Sequence, residues 1–333
     1  MCTIKDVAKE AGVAISTVSN VLNGMPNISE EITQKVLIAS KKLNYKPNLN
    51  AKLLRSGTNR IIAVFLATIQ GEFYSSFIQS IQRKCEEKGY ILQIFILNHY
   101  DNKETLRIMT GFGLTGVLVL NEFIKDDIIK RLPFANIPVV VCDRELCLEG
   151  ISSVTLDNYH VSCELMEYLV ETGHTKIGYL HGTYENPDNV KRFQAYQDIM
   201  KKYDLPYDES IILEGRYHCE ETYAVMEAFL QRGTPLPQAF FCANDNMAVG
   251  CMDALHKAGV HVPDDISIIG FDDDDSSQYH QPKLTTVAVA SEALGTTATE
   301  ELIRLMESQD VLQGISQVIP ARFVQRDSVK RRI

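Results

Sequence analysis

Four side chains in one short stretch, Ile15, Ser16, Ser19 and Asn20, point away from an apolar stripe of Val18, Val21 and Leu22. A face of small polar groups suits a DNA major groove. Serine hydroxyls reach phosphates or base edges, the Asn20 amide pairs bidentately with adenine, and Ile15 meets a thymine methyl. A second set lies far downstream, directly after apolar runs: Asp143 after Pro138–Cys142, Asn244-Asp245 after Ala239–Ala243, and Asp272 after Ser267–Phe271. In open parallel sheets, ligands sit at the carboxyl ends of the strands, so these residues are candidates to bind hydroxyls or polar ring atoms. A plainer role competes for each, since a strand-end Asp or Asn also caps the helix that follows. The Asp272–Asp275 run has the composition of a metal site. Consecutive carboxylates cannot all converge on one ion, however, and the run reads as a solvated loop and helix start. The sequence holds no P-loop, no G-x-G-x-x-G after a first strand, no G-x-S-x-G and no H-E-x-x-H. Nothing in it requires catalysis, a cofactor or a metal.

The elements that must present the first set are short helices. Thr3 and Asp6 form a capping-box-like start to a helix whose stripe is Ile4, Val7, Ala8 and Ala11, and Gly12 ends it. A second helix is predicted from Ile15 to Leu22, stopping at Asn23-Gly24. Ser29 caps a third, with Glu30 and Glu31 at its positive end, Lys41 and Lys42 at its negative end, and a stripe of Ile32, Val36, Ala39 and Leu43. Two short helices across a tight turn, braced by a third, make a helix-turn-helix. Charge agrees with a nucleic-acid role at this end only. Residues 1–60 hold nine Lys/Arg against four Asp/Glu, within a chain whose overall net charge is −10.

The elements that must present the second set are strands alternating with helices. Ile61–Thr68, Tyr90–Leu97, Gly116–Leu120 and Pro138–Asp143 are continuous apolar runs, as buried parallel strands should be. Phe73–Lys88 between them is helical, with Phe77, Ile78, Ile81 and Cys85 on one side. The series repeats after Asp157, with strands Lys176–His181, Ala239–Ala243 and Ser267–Phe271 and helices Asn158–Glu171, Asn189–Lys202 and Asn246–Lys257. The fold class is α/β: doubly wound parallel sheets in two lobes with a cleft between them, behind a small all-α domain. The eight cysteines include no C-x-x-C pair, and several lie in apolar runs (Cys142, Cys242, Cys251). They read as reduced core thiols, and with no signal peptide and no apolar run of membrane-spanning length the expected compartment is the cytoplasm. Residues 48–58 form a linker in which Asn48 could cap a helix through Arg55. Seven or eight residues are too few for a stable isolated helix, so tether and conditional helix both stay open.

The run Thr3-Ile-Lys-Asp-Val-Ala-Lys-Glu-Ala-Gly-Val-Ala-Ile-Ser-Thr-Val-Ser-Asn-Val-Leu-Asn-Gly resembles the lactose-repressor/purine-repressor family, as do Leu43-Asn-Tyr45-Lys-Pro47-Asn and Ala51-Lys-Leu-Leu54-Arg55. The resemblance implies that Ile15, Ser16 and Asn20 read bases and that Thr3, Thr17, Ser19, Asn23 and Tyr45 position phosphates. It also implies a hinge helix that forms on DNA, contributes Ala51 and Arg55, and pushes Leu54 between base steps in the minor groove. In the large domain it implies a periplasmic-binding-protein-like core. Phe73 and Tyr74 would be a stacking wall in the loop after the first strand, Arg192 a charged anchor, and Tyr217 an aromatic cover, beside Asp143, Asn244 and Asp272. Two departures stand out. Ala14 occupies a position where the family usually has Ser, and Asn20 one where many sugar repressors have Arg.

These readings give domains at 1–47 (helix-turn-helix), 48–58 (hinge) and 59–333 (effector binding and dimerisation). The large domain divides into lobes of roughly 59–157 and 158–287, with crossover and C-terminal segments at 284–333. The expected protein is a non-enzymatic homodimer on pseudo-palindromic operator DNA, controlled by a sugar or sugar derivative and free of membrane. A phosphoprotein corepressor and a purine corepressor are the alternatives.

Overall fold

The computed structural model describes residues 3–22, 24–26, 28–45, 60–98 and 101–332. The chain divides into two units, Met1–Asn59 and Arg60–Ile333. The first contains α1 (Ile4–Ala11), α2 (Ile15–Leu22) and α3 (Glu30–Lys42). The Asp6 carboxylate accepts the Thr3 backbone N–H at 2.8 Å, which fixes where α1 begins. Gly12 ends it at φ 65°, a left-handed position that glycine takes without strain. Ser29 Oγ accepts the Ile32 N–H at 3.4 Å and caps α3. Val7, Ala8, Val18, Val36 and Ala39 form the buried core of this unit, so each helix contributes to it. The hinge expected at residues 48–58 lies outside the described residues.

The second unit begins with β1 (Ile61–Leu66), α4 (Glu72–Lys88), β2 (Ile91–Ile96), α5 (Asn102–Thr110), β3 (Gly116–Leu120), α6 (Asp126–Ile129), β4 (Val139–Val141) and β5 (Ile151–Leu156). It continues through α7 (Asn158–Glu171), β6 (Ile177–His181), α8 (Pro187–Lys202), β7 (Ile212–Glu214), α9 (Cys219–Gln231), β8 (Ala239–Cys242), α10 (Asp245–Lys257), β9 (Ser267–Ile269) and α11 (Asp275–Tyr279). It closes with β10 (Thr286–Ala288), α12 (Ser291–Glu307), β11 (Ser316–Ile319) and β12 (Arg322–Val324).

Two parallel sheets result, in the orders β11-β5-β4-β3-β1-β2 and β7-β6-β8-β9, and β10 and β12 form a separate antiparallel pair. The first sheet carries the first lobe and the second sheet the second. The first lobe also recruits α12 and β11 from late in the chain: α12 buries Leu294, Ala298 and Leu302 in its core, and β11 pairs with β5. The chain therefore crosses between lobes three times, after β5, after β10 and after β11. Strand interiors are apolar on both faces, as in Val139, Val140 and Val141, because helices cover each side. One strand departs from that expectation. β2 is the edge of its sheet, and Ile91, Ile94 and Ile96 on it are exposed.

Candidate functional site

In the first unit, α2 presents the set read from the sequence. Val18 is fully buried, while Ile15 (45% exposed), Ser16 and Asn20 face outward and Thr17 and Ser19 are half-buried. Thr3 is exposed at the start of α1, and its hydroxyl donates to Asp6 at 2.8 Å. Tyr45 packs half-buried against the helical core. These residues offer hydroxyl and amide groups to an outside surface while the apolar side of the same helix holds the fold. Asn23, Ala51, Leu54 and Arg55 lie outside the described residues.

In the second unit, one cleft of about 860 Å³ opens between the two sheets. The carboxyl ends of β1 and β3 in the first lobe and of β6, β8 and β9 in the second all lead into it, as strand direction requires. Phe73 and Tyr74 line one side, and Arg192, Tyr217, Asn244 and Asp272 line the other. The two aromatic rings sit in the first turn of α4 rather than in a loop, 5.3 Å apart in an edge-to-face pair. The helix fixes their backbone. The Tyr74 hydroxyl donates no hydrogen bond to the described residues, and Glu122, Asp188 and Asp272 are among the charges that join burial in raising its pKa.

Arg192 is no surface ion pair. It is 4% exposed, its Nε donates to Asn158 Oδ1 at 2.8 Å, and its Nη1 donates to the Ala243 carbonyl. Its guanidinium lies 3.6 Å from the centroid of Phe271, and Nη2 approaches Asp272 Oδ1 at 3.8 Å. This combination of hydrogen bonds, stacking and charge fixes the guanidinium plane. Burial lifts the Asp272 carboxyl to about 8, with Arg192 opposing and Asp274 and Asp188 adding to the rise. Asn244 does both jobs weighed for it. Its Oδ1 accepts the Met247 N–H at 2.9 Å and caps α10, while the residue lines the cleft.

The backbone around the second-lobe wall is strained. Arg216, Tyr217, Asp272 and Asp273 have φ of 51°, 66°, 117° and 59°. Such conformations are of order 1–3 kcal/mol uphill for residues with a Cβ and concentrate at functional sites. Tyr217 is held there by donating from its hydroxyl to Asn186 Oδ1 at 3.0 Å. Its ring also lies over Gly182, where an added Cβ would come within 2.1 Å of it. Asp245, fully buried, organises the other strained loop: Oδ2 accepts the Asp274 N–H at 3.0 Å and Oδ1 accepts the Thr286 hydroxyl at 2.6 Å.

Asp143 is not brought to the wall. Its oxygens lie 2.8 Å from Arg144 Nη1, and Oδ2 accepts the Asn121 N–H at 3.0 Å, which turns the carboxylate into its own lobe. The four carboxylates from Asp272 to Asp275 diverge, as consecutive residues must. Asp272 faces Arg192, Asp273 pairs with Arg326, Asp274 lines the cleft, and Asp275 opens α11. Among the described residues no group of three or more His, Cys, Asp or Glu is arranged to hold a metal, and no helix is long and apolar enough to cross a membrane.

The sequence reading missed Glu122, Asp188, Thr183 and Asp274, all of which line the cleft. Glu122 follows the β3 run by two residues, so the strand-end rule points to it. Asp188 precedes Arg192 by four residues on α8 and shares its face.

Comparison with known proteins agrees with both units. Residues 3–48 match the family model described as bacterial regulatory proteins, lacI family, and residues 166–329 match a periplasmic binding protein-like domain. The chain is 32% identical over 338 residues to the probable HTH-type transcriptional repressor ExuR of Bacillus subtilis (strain 168), covering 99% of each. It is likewise 32% identical over 335 residues to the HTH-type transcriptional repressor PurR of Histophilus somni (strain 129Pt), again covering 99% of each. Among solved structures it resembles a transcriptional regulator CelR–cellobiose complex (TM-score 0.72, 25% identity, 98% of this chain and 100% of that one). It also resembles the lac repressor bound to ONPG in its repressed state (TM-score 0.73, 25% identity, 98% and 99%). A helix-turn-helix unit joined to a two-lobed unit with a polar, aromatic-walled cleft, and full-length identity above 30% to named repressors, lead to one conclusion: this chain belongs to the lacI family of bacterial regulatory proteins.

Proposed function

We propose that this protein is a cytoplasmic transcriptional repressor. It binds a pseudo-palindromic operator as a homodimer through α2 and is switched by a small polyhydroxylated effector held between the lobes of its second unit. The observation that carries this reading is the convergence of Phe73 and Tyr74 from one lobe with Arg192, Tyr217 and Asp272 from the other on a single 860 Å³ cleft. Aromatic faces take the apolar faces of a sugar, and the buried guanidinium and carboxylates take its hydroxyls. Ile15, Ser16 and Asn20 read base edges, Thr3, Thr17, Ser19, Asn23 and Tyr45 seat phosphates, and the 48–58 segment supplies Ala51, Leu54 and Arg55 to the minor groove. The exposed edge strand β2 belongs in the dimer interface. An uncovered apolar edge is an aggregation hazard, and a second copy laid against Ile91, Ile94 and Ile96 removes it.

The test is selection of bound duplexes from a random-sequence pool by the full chain, followed by sedimentation of the complex. A pseudo-palindromic motif with half-sites about one helical turn apart, bound by two chains, is expected. Recovery of no motif, or of a motif bound by a single chain, would count against the reading.

A further inference from the structure

The charge lining the cleft is lopsided. Arg192 and Arg216 are its two guanidinium groups, His218 is its imidazole, and no lysine lines it among the described residues. Against them stand Glu122 and Glu72 on the first lobe and Asp188 and Asp274 on the second, with Glu220 and Glu221 at the start of α9, while Asp272, lifted to about 8 chiefly by burial, keeps its proton at neutral pH. Each arginine already faces a protein carboxyl group. Arg192 Nε and Nη1 donate to Asn158 and the Ala243 carbonyl, its plane stacks on Phe271 and Nη2 faces Asp272, while the exposed Arg216 donates from Nε to Glu214 Oε1 at 3.1 Å. Two uncharged lining groups also lack protein partners. The Tyr74 hydroxyl donates to none of the described residues, and the buried Thr183 Oγ1 has no hydrogen-bond partner among them.

Resting on the interlobe effector reading above, we infer that the cleft selects its effector by charge: it takes a neutral or ammonium-bearing sugar and rejects phosphorylated and acidic ones. A phosphate or carboxylate group entering the cleft would meet carboxylates from both lobes that outnumber its cationic groups. Between partly buried groups that repulsion is screened less than on an open surface. A neutral sugar instead offers hydroxyl donors, which carboxylates accept strongly, and carbon faces for Phe73, Tyr74 and Tyr217. An ammonium group would gain further from the same carboxylates and aromatic faces. At two of these carboxyl groups, neighbouring carboxylates add to the effect of burial. Burial lifts Asp188 to about 6, with Arg192 opposing it and Glu122 adding to the rise. Burial, then Glu72, Asp273 and Asp275, lifts Asp274 to about 6.

The experiment is calorimetric titration of the full chain with matched sets of sugars: hexoses, pentoses and disaccharides, each beside its phosphate ester, its uronic acid and its amino derivative. At least one neutral or amino member is expected to bind, with its phosphate or uronate partner weaker by roughly 100-fold or more. In the double variant Glu122→Gln/Asp188→Asn, and to a smaller degree in Glu122→Gln alone, that gap should narrow by about tenfold. Binding of anionic members only, or equal binding within a set, would overturn the charge inference and leave the interlobe-effector reading standing. So would a gap unchanged in variants that still bind sugar. A panel silent throughout would overturn both.

Discussion

Asp272 lines the cleft with its carboxyl 3.8 Å from Arg192 Nη2. Its carboxyl is lifted to about 8, chiefly by burial, from the ordinary 3.8 of a free aspartate. Between those values the unfolded chain releases the proton while the folded chain keeps it, so the folded state loses stability as pH rises through the window. Asp272→Asn is neutral throughout. It should therefore raise the melting temperature of the ligand-free protein at pH 8.5 more than at pH 5, while weakening sugar binding at both; scanning calorimetry and titration read the two effects. A melting-temperature gain no larger at pH 8.5 than at pH 5 would remove the linkage. Asn20 is the matching residue in the first unit, exposed on α2 with the amide chemistry to read adenine. Asn20→Ala should relax preference at one base pair per half-site, at about 1–3 kcal/mol for each lost bidentate pair. An unchanged sequence logo would contradict that role. Arg192 and Asp272 were legible in the sequence through motif and strand-end position, and the structure brings both to the cleft. Asp143 met the same rule, but an adjacent arginine claimed its carboxylate. A rule about strand ends sees position and is blind to such a neighbour.

At the scale of elements, apolar periodicity located most helices and central strands to within a few residues, because those segments bury what their sequence makes apolar. Failures came where burial is not apolar or where apolar is not buried. β5 reads Ile-Ser-Ser-Val-Thr-Leu and gives no apolar run, yet it is buried throughout. Its hydroxyls are satisfied instead: Ser152 donates to Glu301 and accepts the Ile315 N–H at 3.1 Å, and Ser153 accepts the Leu146 N–H at 3.2 Å. β2 errs the other way, apolar and exposed at a sheet edge. The return of α12 and β11 to the first lobe is a property of topology that no local window contains. α2 yields a prediction of its own. Thr3, Ser29 and Asn244 stand at the N-termini of their helices with polar side chains, but Ala14 before α2 offers only its backbone carbonyl, which accepts the Val18 N–H at 3.1 Å. Ala14→Ser should supply the missing cap and stabilise α2 by about 1 kcal/mol. Hydrogen exchange of the α2 amides in the full chain should then slow by roughly fivefold, and unchanged exchange would mean that the helix end is satisfied some other way.

At the scale of the whole molecule, two units of opposite electrostatic character share one chain, with nine basic against four acidic residues in 1–60 and a net −10 overall. Attraction for phosphate is, on the proposed account, confined to residues 1–60, and the second unit disfavours it. On the proposed account an effector that touches Phe73 or Tyr74 on one lobe and Arg192 or Asp272 on the other favours one lobe angle. That angle sets the spacing of the two 48–58 segments in a dimer, and Leu54 reaches the minor groove at one spacing only. Coupling between two such sites is typically about 1–3 kcal/mol, or roughly five- to 150-fold in affinity. The most direct measurement is the affinity of the full chain for its selected operator, at fixed salt, with and without a saturating concentration of whichever sugar titrates into the cleft. The account expects a change within that range, accompanied by a fall in operator affinity as salt is raised. Operator affinity that is indifferent to a sugar shown to occupy the cleft would contradict it.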